Sequence, residues 1–271
     1  AAIRSTSISP CGKFVVSAGF DRKIAKVDAV SGQVVWEFER SDHVFTAFFS
    51  PCGRYIFAGC IDCTLVKLDS DSMAIVWEHH CSGQVTAAAV SACGTFLCAA
   101  LWLDKEGTSF LLKLDTDDGS ELLLQQVSSA GKIWTVTIGA DQAEQSQLAV
   151  VLGGEEGKIV KLGFSDFRTQ FEVRRHARVW CTAYTKCAPP HRIVSAGSDN
   201  TVVMIDSGSG EVLWEALRPC AVHTINLSVD DKTVIAGGLD HVLFALDAAT
   251  GQPLWDIKLE GRVWAVNLSA D

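Results

Sequence analysis

The chain has 271 residues, of which 48% are apolar and 20% charged, and its formal net charge at pH 7 is −9. This apolar content excludes an intrinsically disordered chain, and the acidic balance argues against nonspecific nucleic-acid binding, which needs a basic surface. The sequence contains no run of 18 apolar residues, so it predicts no membrane span. One domain accounts for this length, and we expect a single domain over residues 1–271.

The sequence repeats about every 41 residues, and each repeat carries four short apolar runs. In the second repeat the runs are 44–49, 54–59, 64–68 and 74–78, separated by clusters of Pro, Gly, Asp and Ser. Such runs, rich in β-branched and aromatic residues, are typical of strands joined by hairpins. No stretch keeps a helical apolar period over three turns. A repeat of four antiparallel strands predicts a blade of a β-propeller.

We expect six complete blades and the first strand of a seventh. The complete repeats are predicted at residues 3–41, 42–82, 83–129, 130–175, 176–218 and 219–260, and the partial repeat at 261–271. Seven first strands against six complete repeats indicate a seven-bladed ring or a fragment of a larger propeller. A six-bladed ring with one extra strand is the alternative.

Four repeats carry a tryptophan on the predicted outer strand, eight residues after an aspartate. The pairs are Asp28 and Trp36, Asp69 and Trp77, Asp206 and Trp214, and Asp247 and Trp255. An aspartate that begins a turn accepts hydrogen bonds from backbone N–H groups two residues on. A tryptophan at this place can bury its ring against the neighbouring blade. We interpret these eight residues as structural anchors of the repeat.

The repeat resembles two known families of propellers. The stretch 245–255, with its Asp, Gly and Trp, resembles the tryptophan-docking repeat of PQQ-type quinoprotein propellers, whereas the turns 9–12 and 50–53 are similar to those of WD repeats. The third-strand tryptophan of WD repeats is replaced by aliphatic residues such as Val27 and Leu68, so the quinoprotein-like class fits better. A quinoprotein dehydrogenase would need a calcium site and an adjacent cysteine pair. Neither is found in the sequence, so no cofactor is expected.

The ten cysteines are spread over the repeats. One turn position is shared by Cys11, Cys52, Cys93 and Cys187. Turns on different blades are expected to lie too far apart for a disulfide, so we interpret these as reduced thiols and predict a reducing, cytoplasmic compartment. Cys60 and Cys63 form a CxxC motif that lacks the second ligand pair of a zinc site. We interpret it as a chance pair of turn residues; a redox or metal site is the alternative.

The best candidate for a functional site lies where the first strands begin, since the first strand of a propeller blade is innermost. Basic and aromatic residues flank the leading Val or Ile there: Arg4, His43, Lys132, Trp134, Arg178, Trp180, His223, Arg262 and Trp264. Trp102, in a predicted long turn at 101–107, extends this surface. Cations beside tryptophans on an acidic chain favour an anionic ligand or an acidic peptide. The alternative is that the cations only reach solvent and the tryptophans fill space between blades.

Two functions fit the sequence. The first is a noncatalytic protein–protein interaction scaffold, a propeller module of a larger protein that binds proteins, or an acidic peptide or segment, around the central channel. The alternative is a quinoprotein-like enzyme or a small-ligand-binding propeller that uses the channel. We predict no catalytic, cofactor-binding or metal-ligating residues.

Overall fold

The computed structural model describes residues 2–127, 131–140, 148–185 and 191–269. In that part of the chain, 24 strands form six four-stranded antiparallel sheets, and each sheet follows chain order. The secondary-structure elements of these residues are all strands. The all-β propeller class with six complete blades is therefore confirmed. Cys187 and the predicted boundary between residues 129 and 130 lie outside the described residues.

The first three blades belong to one compact unit, which comprises Ala1–Val127 with Ser269–Asp271. Blade one holds β1 to β4, blade two β5 to β8 and blade three β9 to β12. The strands are β1 (Ile3–Ile8), β2 (Phe14–Gly19), β3 (Lys23–Asp28), β4 (Val34–Glu39), β5 (Val44–Phe49), β6 (Tyr55–Cys60), β7 (Thr64–Asp69), β8 (Ile75–His80), β9 (Gln84–Val90), β10 (Phe96–Leu103), β11 (Thr108–Asp115) and β12 (Glu121–Val127).

Blades four to six belong to a second compact unit, Ser128–Leu268. The strands are β13 (Ile133–Ala140), β14 (Leu148–Gly154), β15 (Lys158–Gly163), β16 (Thr169–Arg174), β17 (Val179–Tyr184), β18 (Arg192–Gly197), β19 (Thr201–Asp206), β20 (Val212–Leu217), β21 (Val222–Leu227), β22 (Thr233–Gly238), β23 (Val242–Asp247) and β24 (Pro253–Lys258). The assignment of residues 1–271 to a single domain stays a prediction.

Each first strand contains one β-bulge, directly after its leading aliphatic residue. In β17, Val179 pairs with Gly197 and Cys181 pairs with Ala196, so the ladder passes over Trp180. The same shift passes over Arg4, Phe45, Thr86, Trp134 and His223 in the other five blades. A bulge bends the strand and re-aims the extra side chain. Each blade therefore projects one side chain from the same place, out of step with the pleat.

The apolar core lies between neighbouring blades of a unit. Between blades five and six it contains the buried Met204, Phe244 and Leu246. Glycines on second strands let the next blade approach closely: a Cβ on Gly237 would lie 2.5 Å from a methyl of Val263. Packing of this kind fixes the spacing between first strands, because a larger residue would have to displace the neighbouring strand.

The predicted first strand of a seventh repeat lies beside β21 but pairs with no second strand in the described part of the chain. Val263 N donates to the carbonyl of Gly238 over 3.0 Å, and Val266 N donates to Oγ1 of Thr224 over 3.0 Å. Residues 263–268 therefore occupy the place of a first strand without forming a ladder, which is why they carry no strand assignment.

Candidate functional site

Four aromatic side chains of the second unit form a continuous row. The ring centroids of Trp134 and Trp180 are 5.4 Å apart, those of Trp180 and His223 are 5.0 Å apart, and those of His223 and Trp264 are 4.8 Å apart. Centroid distances in this range are those of interacting aromatic pairs. We call these four residues the aromatic row.

The bulges of the first strands create the aromatic row. Trp134, Trp180 and His223 are the bulged residues of β13, β17 and β21, and Trp264 follows Val263 in the same way. The three tryptophans are half-buried, so each ring packs on its neighbour and still presents surface to solvent. Trp180 is held by its indole N–H, which donates to Oγ of Ser198 over 2.6 Å.

Basic side chains flank the aromatic row. Nζ of Lys132 lies 5.1 Å from the ring centroid of Trp134, which is within the range of a cation–π contact. Arg178 pairs with Oε1 of Glu155 over 2.5 Å, and both side chains are substantially exposed, at 51% and 37%. An exposed pair of this kind contributes about 0–1 kcal/mol, so a ligand carboxylate can compete for the guanidinium. Arg262, two residues before Trp264, is exposed.

A glycine places Arg178. The backbone N–H of Ser198 donates to the carbonyl of Arg178 over 2.8 Å, and a Cβ on Gly197 would lie 2.3 Å from that same oxygen. Any side chain at residue 197 would therefore push away the backbone that precedes β17. The sequence motif Gly-Ser-Asp at 197–199 thus fixes the approach to the aromatic row.

The first unit carries a separate group of the predicted residues. The guanidinium of Arg4 lies 5.8 Å from the ring centroid of Phe45, and the ring of Phe20 contacts both His43, at 5.1 Å, and Phe45, at 6.0 Å. Trp102 lies in β10, opposite Ser109 and Gln84. Because β10 continues to Leu103, the predicted turn at 101–107 is too long, and Trp102 is half-buried in a strand.

The repeated tryptophans join each blade to the next within a unit. The indole N–H groups of Trp36, Trp77 and Trp214 donate to the carbonyls of Ser70, Thr116 and Ala248 over 3.0, 2.9 and 3.0 Å. Ser70 and Ala248 directly follow the repeat aspartates Asp69 and Asp247, and Thr116 follows Asp115, the aspartate at the same place in the third repeat. Trp255 of blade six is 40% exposed.

The repeat aspartates close the turns that supply these carbonyls. Oδ1 of Asp206 accepts from the backbone N–H groups of Gly208 and Ser209 over 3.0 and 2.8 Å. Asp28, Asp69 and Asp247 make the equivalent pairs of bonds. The backbone N–H and hydroxyl of Ser209 lower the pKa of Asp206, since hydrogen bonds to a carboxylate stabilise its charged form.

We call each bond from a repeated tryptophan to a carbonyl of the next blade a docking joint. Buried lysines bond at the same docking joints, and the sequence analysis did not predict them. Nζ of Lys26 donates to the carbonyl of Ser70 over 2.8 Å, and Nζ of Lys67 donates to the carbonyl of Thr116 over 2.7 Å, so one oxygen accepts from both a tryptophan and a lysine. Lys161 makes the corresponding bond to Ser207 over 2.5 Å. A lysine two residues before the end of the third strand in four successive repeats was the signal in the sequence.

The described residues contain no cluster of acidic side chains of the kind that a calcium–quinone site uses. Such a site needs several oxygen ligands around one ion, and no group of three or more His, Cys, Asp or Glu side chains in the described ranges is arranged to hold a metal. No helix in the same part of the chain is long and apolar enough to cross a membrane.

Comparison with known proteins agrees with this architecture. Residues 20–168 and 198–268, most of the chain, match the PQQ_2 family, which is described as outer membrane protein assembly factor BamB. A search of curated proteins finds no match to the chain. This match agrees with the resemblance of residues 245–255 to the tryptophan-docking repeat of PQQ-type propellers. The chain therefore belongs to the PQQ_2 family of BamB-like repeats.

Proposed function

We propose that this chain is a noncatalytic interaction module whose aromatic row binds an acidic segment of a partner protein. The observation that carries the proposal is the row itself: four rings in contact, each at the site of a bulge or its equivalent, with Lys132, Arg178 and Arg262 beside them. Tryptophan and arginine are the residues most enriched at energetically dominant positions of protein interfaces.

The chemistry of the row suits a carboxylate-rich chain better than an apolar one. The tryptophans offer flat apolar surface for the stems of Glu or for backbone, and the exposed cations offer charge to the carboxylates. Because the whole chain carries a net charge of −9, the local basic group attracts an anionic segment only at short range, within about a Debye length of ~10 Å. Salt screens this attraction between the cations and the carboxylates.

The family description supports the same role. It names an assembly factor, a protein that acts by contacts with other proteins. The competing role, a quinone-dependent enzyme, predicts that PQQ with calcium raises the melting temperature of the chain. We expect no such shift, and a clear rise would favour the enzyme.

Capture from a source-cell lysate followed by cross-linking mass spectrometry tests the proposal. The parent is compared with an Arg262→Glu/Trp264→Ala variant and with an Arg168→Glu control, which reverses an 87% exposed charge in a different turn of the same unit. We expect the parent and the control to cross-link to Asp- and Glu-rich segments that the double variant loses. The same cross-links from all three proteins would remove the aromatic row as the binding surface.

A further inference from the structure

Three exposed cysteines occupy the same hydrogen-bonded turn in blades one, two and three. Cys11, Cys52 and Cys93 follow a serine by two residues, and their sulfurs lie 3.4, 3.2 and 3.1 Å from the hydroxyls of Ser9, Ser50 and Ser91. The spacing along the chain is 41 residues in both steps. The thiols therefore form a repeated feature of the first unit.

The turn leaves the serine hydroxyl able to donate to the sulfur. Oγ of Ser50 accepts the backbone N–H of Tyr55 over 3.0 Å, and Ser9 and Ser91 accept the equivalent N–H groups of Phe14 and Phe96 over 3.0 and 3.1 Å. Each hydroxyl accepts the N–H through one lone pair and keeps its own proton available, so it can donate that proton to the sulfur, as the hydroxyl of Ser228 donates to Asp230 in blade six. A hydroxyl that donates to sulfur stabilises the thiolate rather than the thiol.

In blade six the equivalent turn carries an aspartate at the position of the cysteine. There the serine is Ser228 and the residue two positions later is Asp230, and Oγ of Ser228 donates to the carboxylate over 2.6 Å while accepting the N–H of Thr233 over 3.0 Å. The cysteines thus stand where an anionic side chain stands in another copy of the same turn. The hydroxyls of Ser9 and Ser50 lower the pKa of Cys11 and Cys52, whereas burial raises the pKa of Cys60 to about 11.

Two of the three cysteines open into one cavity of about 420 Å³. Its lining comprises Ser9, Pro10, Cys11 and Phe14 of blade one with Cys52 and Gly53 of blade two, and Lys26, Ser70 and Asp71 at the docking joint of the two blades. This volume lies within the range of small-molecule sites. The cavity combines two thiols that lie beside serine hydroxyls, an aromatic wall and an ion pair between Lys26 and Asp71 at 3.2 Å.

We propose that this cavity is a thiol–disulfide exchange site that takes a low-molecular-weight disulfide of the glutathione type. The Cys52 thiolate attacks one sulfur of the small disulfide, a bond forms between Sγ and that sulfur, and the original disulfide bond breaks. The second half leaves as a thiolate. The Cys52 sulfur is oxidised to a mixed disulfide and the leaving sulfur is reduced to a thiolate, so the small disulfide is itself the oxidant. Cys11 undergoes the same step from the other wall.

The proposal is tested by incubating the folded chain with glutathione disulfide, blocking the remaining thiols and mapping modified cysteines by mass spectrometry over time. We expect Cys11 and Cys52 to be modified ahead of Cys93, which has the same turn but belongs to the third blade. Small neutral iodoacetamide should label all three at similar rates. Equal rates of the three with glutathione disulfide would show that the cavity contributes nothing and overturn the proposal.

Substitution of the serine tests the activation of the thiol. Ser50→Ala should slow modification of Cys52 by about threefold at neutral pH, because a higher pKa lowers the thiolate fraction more than it raises nucleophilicity. It should also move the midpoint of the pH–rate profile of Cys52 upward. Ser228→Ala, which loosens the equivalent turn of blade six, is the matched control and should leave Cys52 unchanged. An unaltered profile in Ser50→Ala, or the same change in the control, would contradict the proposal.

Discussion

The docking joints recur at one position of successive repeats, and the residues of the aromatic row recur at another. The two positions differ in whether the side chain is the same from repeat to repeat. At the joints the same groups recur, since Trp36, Trp77 and Trp214 all donate to a carbonyl of the next blade. At the bulges the backbone recurs but the side chain changes, from Arg4 to Thr86 to Trp180. Repeated chemistry indicates a structural role, whereas varied chemistry on a repeated backbone is what the proposed recognition surface would need.

Two arginines three residues apart separate these roles most strongly. Arg175 makes two bonds to Asp199, at 2.7 and 2.9 Å, and both side chains are 5% exposed. Arg175→Ala leaves a buried carboxylate uncompensated and should cost about 3–5 kcal/mol of unfolding free energy. Arg178→Ala, which breaks the exposed pair with Glu155, should cost less than about 1 kcal/mol. Urea denaturation measures both, and equal losses would contradict the distinction.

Trp214 and Trp255 occupy the same position in blades five and six but differ in burial and in their contacts. The ring of Trp214 packs against Gly251, where an added Cβ would lie 2.7 Å from the ring. The indole N–H of Trp214 donates to the carbonyl of Ala248. Trp214→Ala should therefore cost about 3 kcal/mol. Trp255 is 40% exposed, so Trp255→Ala should cost about 1 kcal/mol or less. Thermal and urea unfolding of the two variants should rank them in this order.

Lys67 tests whether the buried ammonium is essential to a joint. Burial lowers the pKa of Lys67, which shows that its charge is disfavoured there, and blade five has Met204 at the equivalent position. Lys67→Met should change the unfolding free energy by less than about 1.5 kcal/mol in either direction. A loss as large as that of Arg175→Ala would mean that the lysine, rather than the tryptophan, holds blades two and three together.

The smallest expected effect is a change in melting temperature when the repeat aspartate Asp206 is replaced, and this change should depend on pH. Since the folded-state pKa of Asp206 is lowered, its stabilisation is fully present above the ordinary carboxyl range and is lost as the pH falls through the folded pKa. Asp206→Ala should therefore lower the melting temperature slightly at neutral pH, and the gap to the parent should close in acid. A gap independent of pH would show that the carboxylate charge is unimportant in the turn.

The sequence carried more information about the joints than about the row. The 41-residue period, the aspartates and the tryptophans predict blades and their outer strands directly, because they are repeated letters. The bulges leave no such mark, since a bulge depends on how two strands pair, and they bring Trp134, Trp180 and His223 together. The sequence also did not predict that the carboxylate of Glu155 lies beside Arg178, because Glu155 follows β14 whereas Arg178 precedes β17. The repeated lysines can be read from the sequence, but only the structure shows that Lys26, Lys67 and Lys161 donate to carbonyls of the next blade.

The most direct test of the proposed function is a binding titration of fluorescein-labelled oligoglutamate by fluorescence anisotropy, with oligolysine and oligoserine as control peptides. We predict that oligoglutamate alone binds, that binding weakens as salt rises, and that Arg262→Glu/Trp264→Ala weakens it at least about tenfold, or 1.4 kcal/mol. The Arg168→Glu control should bind like the parent. Equal binding of all three peptides, or equal loss in both variants, would contradict recognition of an acidic segment by the aromatic row.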